Sequence, residues 1–599
     1  MKPSSLFLFV LLLIGFTSDV AAQRKKKSVK SKKTAIRKTT KAKKKNKAVA
    51  SRKNNNNQKT TQVQNVKGES ISVAYSIPNS QDSSSPKTVI ITSAFKPSLQ
   101  NAAKVNFTAA TGINDSSRLP LTYKVPSSNL FFLYQPIPLK PLALPSDSPM
   151  VWKNTHQVKL GAGNLSSFMG EGKFSFGDIR NAVTQIEAGY IRTQGKLYAQ
   201  QYSKFHLDVL NHFTSKSNLE WTSRANFHST TRYKYGFLPS SLAYTKDQIQ
   251  LVYNALQLEV GLKNSIPTAS KINFNPVIQF NRFTNAENAG ENNLILNAPI
   301  QKELTSQFSL QMAFQADIAN YKTDVNAWKN NLIILAPSVK FRSNAFNLEA
   351  GIRPSWDNSA FHLLPNLILQ TGLSGTSLKL EAGFQGSIDK NSFRSLAKFN
   401  PWIALPNAIK NTRMIEQFIG FKGNSGNHIS YNAKLAYRQL TDQPLFINQL
   451  GDGKSFDLLY TNMNMLHLVG EMNYAVQEKL TLTAGAQYNH FSKISAAPDA
   501  FGMIPLELTG TVLWKPLSDL QIKSDIFYRS GSMYRDQFSL ASKRLSPAVD
   551  LNIGVEFGLL PKLNAWIQMN NIFNNVYQRW NQYPVFGFNV LGGVVYSFQ

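Results

Sequence analysis

FGFNVLGGVVYSF, residues 586–598, decides the fold class. Phe586, Phe588, Val590, Gly592, Val594, Tyr596 and Phe598 share one parity; Gly587, Asn589, Leu591, Gly593, Val595 and Ser597 share the other. Side chains of a strand alternate between its faces, so one face of this segment is aromatic and aliphatic and the other small and mixed. The pattern recurs upstream. Leu563, Ala565, Ile567 and Met569 alternate with Asn564, Trp566, Gln568 and Asn570, and Val549, Leu551, Ile553, Val555 and Phe557 with Asp550, Asn552, Gly554, Glu556 and Gly558. The same two-faced reading holds for 520–526 and 480–489.

A soluble all-β secreted protein would also alternate, but a chain of this length would divide into domains joined by linkers. No linker follows residue 155, and short turns such as Leu560-Pro561-Lys562 and Val476-Gln477-Glu478 separate the segments. Alternating segments of about ten residues, divided by turns, are the pattern of an outer-membrane barrel, whose closure satisfies every backbone group in lipid. We therefore expect an all-β fold: a large closed antiparallel transmembrane β-barrel over 155–599, with about 20 to 22 strands at about 20 to 22 residues per strand and connection. Trp514, Tyr528, Tyr474, Tyr488 and Tyr596 fall near strand ends, where interfacial girdles are expected. Asp550, Glu556, Lys523, Asp525, Glu507 and Glu471 are spread over the inward face and form no single-sign ring, so ion selectivity is not indicated. A mean hydropathy of -0.25 suits such a wall, because only alternate residues meet lipid.

The N-terminus supports export. Lys2, the apolar run Leu6–Phe16 and the small residues Val20-Ala21-Ala22 form a signal peptide over 1–22, and the run is too short to span a bilayer as a helix. The net charge of the 599 residues is +32, and Arg24–Lys53 alone holds sixteen Lys or Arg and no acid. This block repels itself and buries nothing, so 23–68 is expected to be a disordered basic tail. Its partner would be a polyanion such as a periplasmic or cell-wall polymer or anionic lipid; export makes nucleic acid an unexpected partner. A solvated tether with no partner would look the same. Residues 69–154 carry short apolar stretches broken by Pro126, Pro136, Pro138, Pro141 and Pro145 and are expected to be a short irregular pre-barrel segment. The chain has no cysteine, which excludes disulfides, thiolate metal sites and a lipid-modified cysteine.

Asn570–Phe598 resembles the last two strands of TonB-dependent receptors, in which an N-L-F-N-like turn leads into a strand of the form G-R-x-x-x-x-G-x-x-Y-x-F. Asn571, Ile572, Phe573 and Asn574 match the first motif; Gly592, Tyr596 and Phe598 match the second. The chain departs from the pattern in ending on Gln599. Lys159–Asn164 (KLGAGN), Arg232–Phe237 (RYKYGF) and Phe95–Leu99 (FKPSL) are similar to the opening strand, an aromatic turn and the pre-barrel segment of one subgroup. The resemblance implies residence in the outer membrane of a Gram-negative bacterium, in contact with its lipid. It also implies that the barrel-assembly machinery reads the last strand through Phe586, Phe588, Tyr596 and Phe598. Members of this family carry a plug and a TonB box. No plug motif stands in 69–154, so a plugless or truncated-plug member is expected. Thr88, Val89, Ile90 and Ile91 look like a weak TonB box, able to add as a strand to a partner sheet such as TonB. Lys87 stands where an acid is usual, and a short internal strand would have the same sequence.

Catalytic, metal and cofactor sites are not expected. The eight histidines form no HExxH, and no G-x-S-x-G elbow or P-loop is present. His206 and His212 share a strand face but lie about 20 Å apart at about 3.3 Å per residue, too far to share a metal. The chain therefore reads as a solute receptor or transport channel of unknown substrate. The alternative is a structural or assembly subunit of an outer-membrane complex.

Overall fold

The computed structural model describes residues 155–178, 182–373 and 376–598. The segments expected at 1–22, 23–68 and 69–154, with Thr88–Ile91 and the plugless expectation, lie outside the described residues.

The chain folds into a closed antiparallel barrel of 22 strands. Closure is direct: the first strand, His156–Gly163, pairs with the last, Asn589–Phe598, with Val158 opposite Tyr596 and Gly161 opposite Gly593. Every connection joins neighbouring strands, as the short turns of the sequence require. One strand is interrupted: Ile272–Phe274 and Val277–Asn285 both pair with Gly290–Glu303, and Pro276 between them has no N–H to give the ladder.

The alternation read from the sequence is the alternation of the wall. Phe205 and Leu207, Ile419 and Phe421, Leu466 and Leu468, and Val594 and Tyr596 are large, exposed and outward. Trp514, Tyr488 and Tyr596 are also exposed near strand ends. Such a surface is stable only in lipid, and a closed barrel leaves no open sheet edge there.

The two ends differ. Tight turns such as Pro561–Lys562 and Gln477–Lys479 close one end. At the other, 234–249, 390–411, 493–505, 530–547 and 571–588 are long. Outer-membrane barrels carry short periplasmic turns and longer extracellular loops, so the long-loop end faces outward.

Strand length also varies. His156–Gly163 and Leu563–Asn570 have 8 residues, whereas Ile429–Asn448 and Phe456–Val476 have 20 and 21. A register shift between Leu440 and Gln443 marks where the long hairpin bends. Beyond it, Leu445, Phe446 and Ile447 are all buried, so both faces are covered.

The closing seam is built on glycine. A Cβ on Gly593 would lie 1.9 Å from the Leu160 carbonyl oxygen, and one on Gly161 2.2 Å from the Trp566 ring. Trp566 reaches across these glycines, donating its Nε1–H to Leu160 O at 3.2 Å, with the Lys159 ammonium 4.2 Å from the ring centroid.

One boundary differs from the sequence reading. The last strand begins at Asn589, and Phe586 is buried in the preceding loop. Asn571 Nδ2 donates to Phe586 O and Asn574 Oδ1 accepts from the Phe588 N–H, both within 3.0 Å. These bonds turn the backbone of 586–588 away from the ladder, and Phe586, which shares the outward parity in the sequence, is buried. Phe588, Val594 and Tyr596 are exposed, and Val590 and Phe598 are half-buried.

Candidate functional site: the capped end of the lumen

Inward parity gives the lumen a wall of amides and paired charges. Lys173 bridges Glu171 and Glu187, His228 meets Asp208 at 2.9 Å, and Arg224 meets Glu259 at 2.9 Å. Farther round, Glu416 takes both Lys434 and Arg438 at 2.7 Å, Lys523 faces Asp525 at 3.2 Å and Arg529 holds Glu507 at 2.6 Å. Glu507, Lys523 and Asp525, read as charges spread over the inward face, are thus ion-paired across or along strands. Register sets these partners, and periodicity alone does not reveal it. His206 and His212 lie apart as expected; His206 instead neighbours His228 on the next strand, with ring centroids 6.2 Å apart. Among the described residues no group of three or more His, Asp or Glu side chains could hold a metal ion.

The distinctive feature is at the long-loop end, where loops turn inward. Loop 390–411 enters the barrel mouth as the helix Phe393–Phe399, capped by Ser392, whose Oγ accepts from the Ser395 N–H at 3.0 Å. Lumen-facing wall residues hold it. Glu291 Oε2 accepts from the Phe393 N–H at 2.6 Å, and the helix places Arg394 to donate to Asn281 at 2.7 Å and Gln257 at 3.1 Å. Lys390 donates to Asp317 at 2.9 Å and to Asn330 O at 2.6 Å. Tyr253 Oη donates to Pro401 O at 2.8 Å. The loop therefore rests on the inner wall of several strands.

Aromatic packing joins this loop to loop 571–588. Trp402 stacks on Tyr583 with centroids 3.8 Å apart, Tyr235 meets Tyr583 edge-on at 5.1 Å, and Trp580 packs against Phe446 at 5.2 Å and Phe456 at 5.4 Å. Phe393, Phe283 and Tyr253 continue the cluster. Phe393 is 0% exposed and Tyr583 2%, burial equal to that of a protein core. Polar ties complete the cap: Tyr583 Oη donates to Lys454 O, Tyr235 Oη to Pro584 O at 2.9 Å and Trp402 Nε1 to Tyr233 O at 3.1 Å. Loop 493–505 joins from the side, where Arg579 donates to Gly502 O at 2.9 Å with its guanidinium 4.2 Å from the Trp580 ring centroid. Burial, then the nearby Arg529, pulls the Arg579 guanidinium down to about 9, leaving it cationic at neutral pH.

Two motifs noted in the sequence serve this cap. In RYKYGF, Lys234 is buried and pairs with Glu287 at 2.6 Å, and Gly236 lets the backbone meet loop 571–588: a Cβ there would sit 2.5 Å from Gln582 O. In Asn571–Asn574, the outer two residues adopt φ of 49° and 51°, and Asn571 Nδ2 bridges Asn575 O and Phe586 O, both at 3.0 Å. Asparagine tolerates this left-handed backbone and bonds locally, which turns the chain inward.

One tie responds to pH. Asp452 accepts from Lys454 and Tyr244, both at 2.5 Å, joining loops 449–455 and 234–249. Burial pushes this carboxyl up, but the bonds from Lys454 and Tyr244 outweigh it and hold it below the ordinary value. Its stabilisation is therefore full above the unfolded-chain pKa of about 4 and is lost as pH falls through the lower folded value. Acidification below about pH 4 is expected to speed hydrogen exchange in 234–249 and 449–455. Asp452→Asn should show the faster exchange already at neutral pH. Exchange in the variant that stays slow and pH-dependent would show that Asp452 does not hold these loops.

No protein-family model and no curated protein matches the sequence. Solved structures do match the barrel. The FrpB iron transporter from Neisseria meningitidis (F5-1 variant) superposes with a TM-score of 0.59 at 12% identity, covering 75% of this chain and 83% of that one. The fold is that of the TonB-dependent receptor barrels. The siderophore receptor PirA from Acinetobacter baumannii gives a TM-score of 0.59 at 9% identity over 75% of this chain and 81% of its own. The copper transporter OprC gives 0.54 at 12% over 74% and 80%. At these identities the likeness to TonB-dependent receptor barrels establishes architecture. With the outward apolar wall, it places the chain in the outer membrane.

Proposed function

We propose that this barrel is a solute receptor or transport channel of the outer membrane, with its outward mouth gated by its own loops. The observation that carries the reading is the cap: 390–411 and 571–588 fold into the mouth and pack a continuous aromatic cluster on the inner wall. A barrel that only anchored a complex would have no need of a polar lumen closed by separable loops. The iron transporter, siderophore receptor and copper transporter of the same architecture support a transport role. Under this reading Thr88–Ile91 is a strand offered to TonB, and Phe586, Phe588, Tyr596 and Phe598 are read during barrel assembly. Arg24–Lys53 engages a periplasmic polyanion, and 69–154 is a reduced plug.

Planar-bilayer recording tests the reading. The full chain should conduct poorly. A form lacking residues 23–153 and carrying Trp580→Ala and Tyr583→Ala should open. If that form inserts and still passes no current, transport is excluded and an anchoring role takes its place. Pull-down with and without 24–53 reads the tail separately; identical partners in both would remove its role.

A further inference from the structure

Beneath the cap, three cations converge on one part of the lumen. Lys204 and Arg232 lie on the neighbouring strands Gln201–Thr214 and Leu219–Tyr233. Lys204 is opposite Thr230, so Arg232 is its diagonal neighbour on the lumen face, within about 8 Å. Arg232 stacks over Tyr202, 4.5 Å from the ring centroid. The third cation comes from the cap. Arg394 is bonded to Gln257, which belongs to the cross-strand row Asp208, Asn226, Gln257 and Asn281. Lys398 is one helical turn further on the same helix face and is exposed. Arg232 and Lys398 are near enough to repel the Lys204 ammonium.

Many other lumen cations, among them Lys173, Arg224, Lys434, Lys523 and Arg529, have carboxylates, while Arg353 and Arg394 are held by amide and carbonyl oxygens. Among the described residues Lys204, Arg232 and Lys398 form no ion pair. The two acids nearest Lys204 are engaged, Asp208 with His228 at 2.9 Å and Glu187 with Lys173 at 3.4 Å and His206 at 3.5 Å. Unpaired cations gathered in a confined lumen repel one another, and an anion between them relieves that repulsion. Beside them stand amide and hydroxyl groups able to fix an oxyanion: Asn226, Thr230 and Tyr202.

We propose that this patch binds an oxyanion-bearing solute, carboxylate or phosphate, on the inner side of the closed cap. The proposal rests on the transport reading and deepens it by naming the class of solute. Because Lys398 belongs to the cap and Lys204 and Arg232 to the wall, bound anion bridges the two and holds the mouth shut.

Equilibrium binding of citrate and of pyrophosphate to the full-length detergent-solubilised protein tests this. Saturable binding that weakens with salt is expected for at least one probe, and which one binds distinguishes carboxylate from phosphate chemistry. Lys204→Gln with Lys398→Gln should weaken it at least tenfold while heat-modifiable gel migration shows a folded barrel. Lys434→Gln, which removes a cation paired with Glu416, should leave it unchanged. No saturable binding of either probe, or equal affinity in the double variant and the parent, overturns the proposal. Binding in a protein that fails the conductance test refutes transport alone, and conductance without binding refutes this site alone.

Discussion

Gly593→Ala is expected to abolish barrel closure, while Gly592→Ala, one residue away, leaves it intact. The two positions share a strand and differ in face. At Gly593 the new methyl would lie 1.9 Å from Leu160 O and 2.6 Å from the Gly161 Cα, both backbone atoms of the first strand. No rotamer change relieves such an overlap, so the first and last strands must separate, and in lipid each unpaired backbone group costs several kcal/mol. At Gly592 the nearest atom is Trp566 O at 3.5 Å, an ordinary contact on the outward face. There alanine should be neutral or slightly stabilising, by about 0.4 to 1 kcal/mol. Heat-modifiable migration on gels checks the pair. A folded band for Gly593→Ala at the parental yield would show that the seam is looser than this geometry states.

The cap gives the second large effect. Tyr583→Ala removes a side chain buried between Trp402, Tyr235 and Phe456, and a buried aromatic truncated to alanine typically costs about 3 to 5 kcal/mol. At about 1.4 kcal/mol per tenfold, the open population should rise about 10²- to 4 × 10³-fold. The loss should stay local, because Tyr583 packs on loops and strand ends and leaves the ladder untouched. Hydrogen exchange should accelerate in 390–411 and 571–588 and remain slow in the membrane-spanning strands. Tyr583→Phe keeps the stack and loses only the bond to Lys454 O, a cost of about 1 kcal/mol. Equal acceleration throughout the barrel would mean that the cap is inseparable from the wall, and gating by loop opening would fail.

The wall was legible in the sequence and the cap was not, for a physical reason. Lipid demands apolar side chains at every second position over a whole strand, so the pattern from Val549 to Phe557 reveals both faces. The loops obey no period. Trp402, Trp580 and Tyr583 stand in irregular stretches with no strand or helix period, and only the convergence of distant loops makes them a core. RYKYGF and Asn571–Asn574 stood out as motifs, but the sequence did not show that both serve one closure. The boundary at Phe586 shows the same limit: its parity continues the strand, whereas Asn571 and Asn574 decide its backbone.

The unequal strands have a consequence for what can reach the mouth. At about 3.4 Å per residue and a tilt of about 40°, the 20- and 21-residue hairpin spans about 50 Å along the membrane normal, twice the apolar band of about 25 Å. The 8-residue strands at the seam span only about 20 Å, less than the apolar band. The rim is therefore a slope, with a parapet above Ile429–Val476 and a low sill at the turn after Gly163. A bulky visitor therefore meets less wall over the sill than above Ile429–Val476, and the sill brings the mouth nearest the lipid surface.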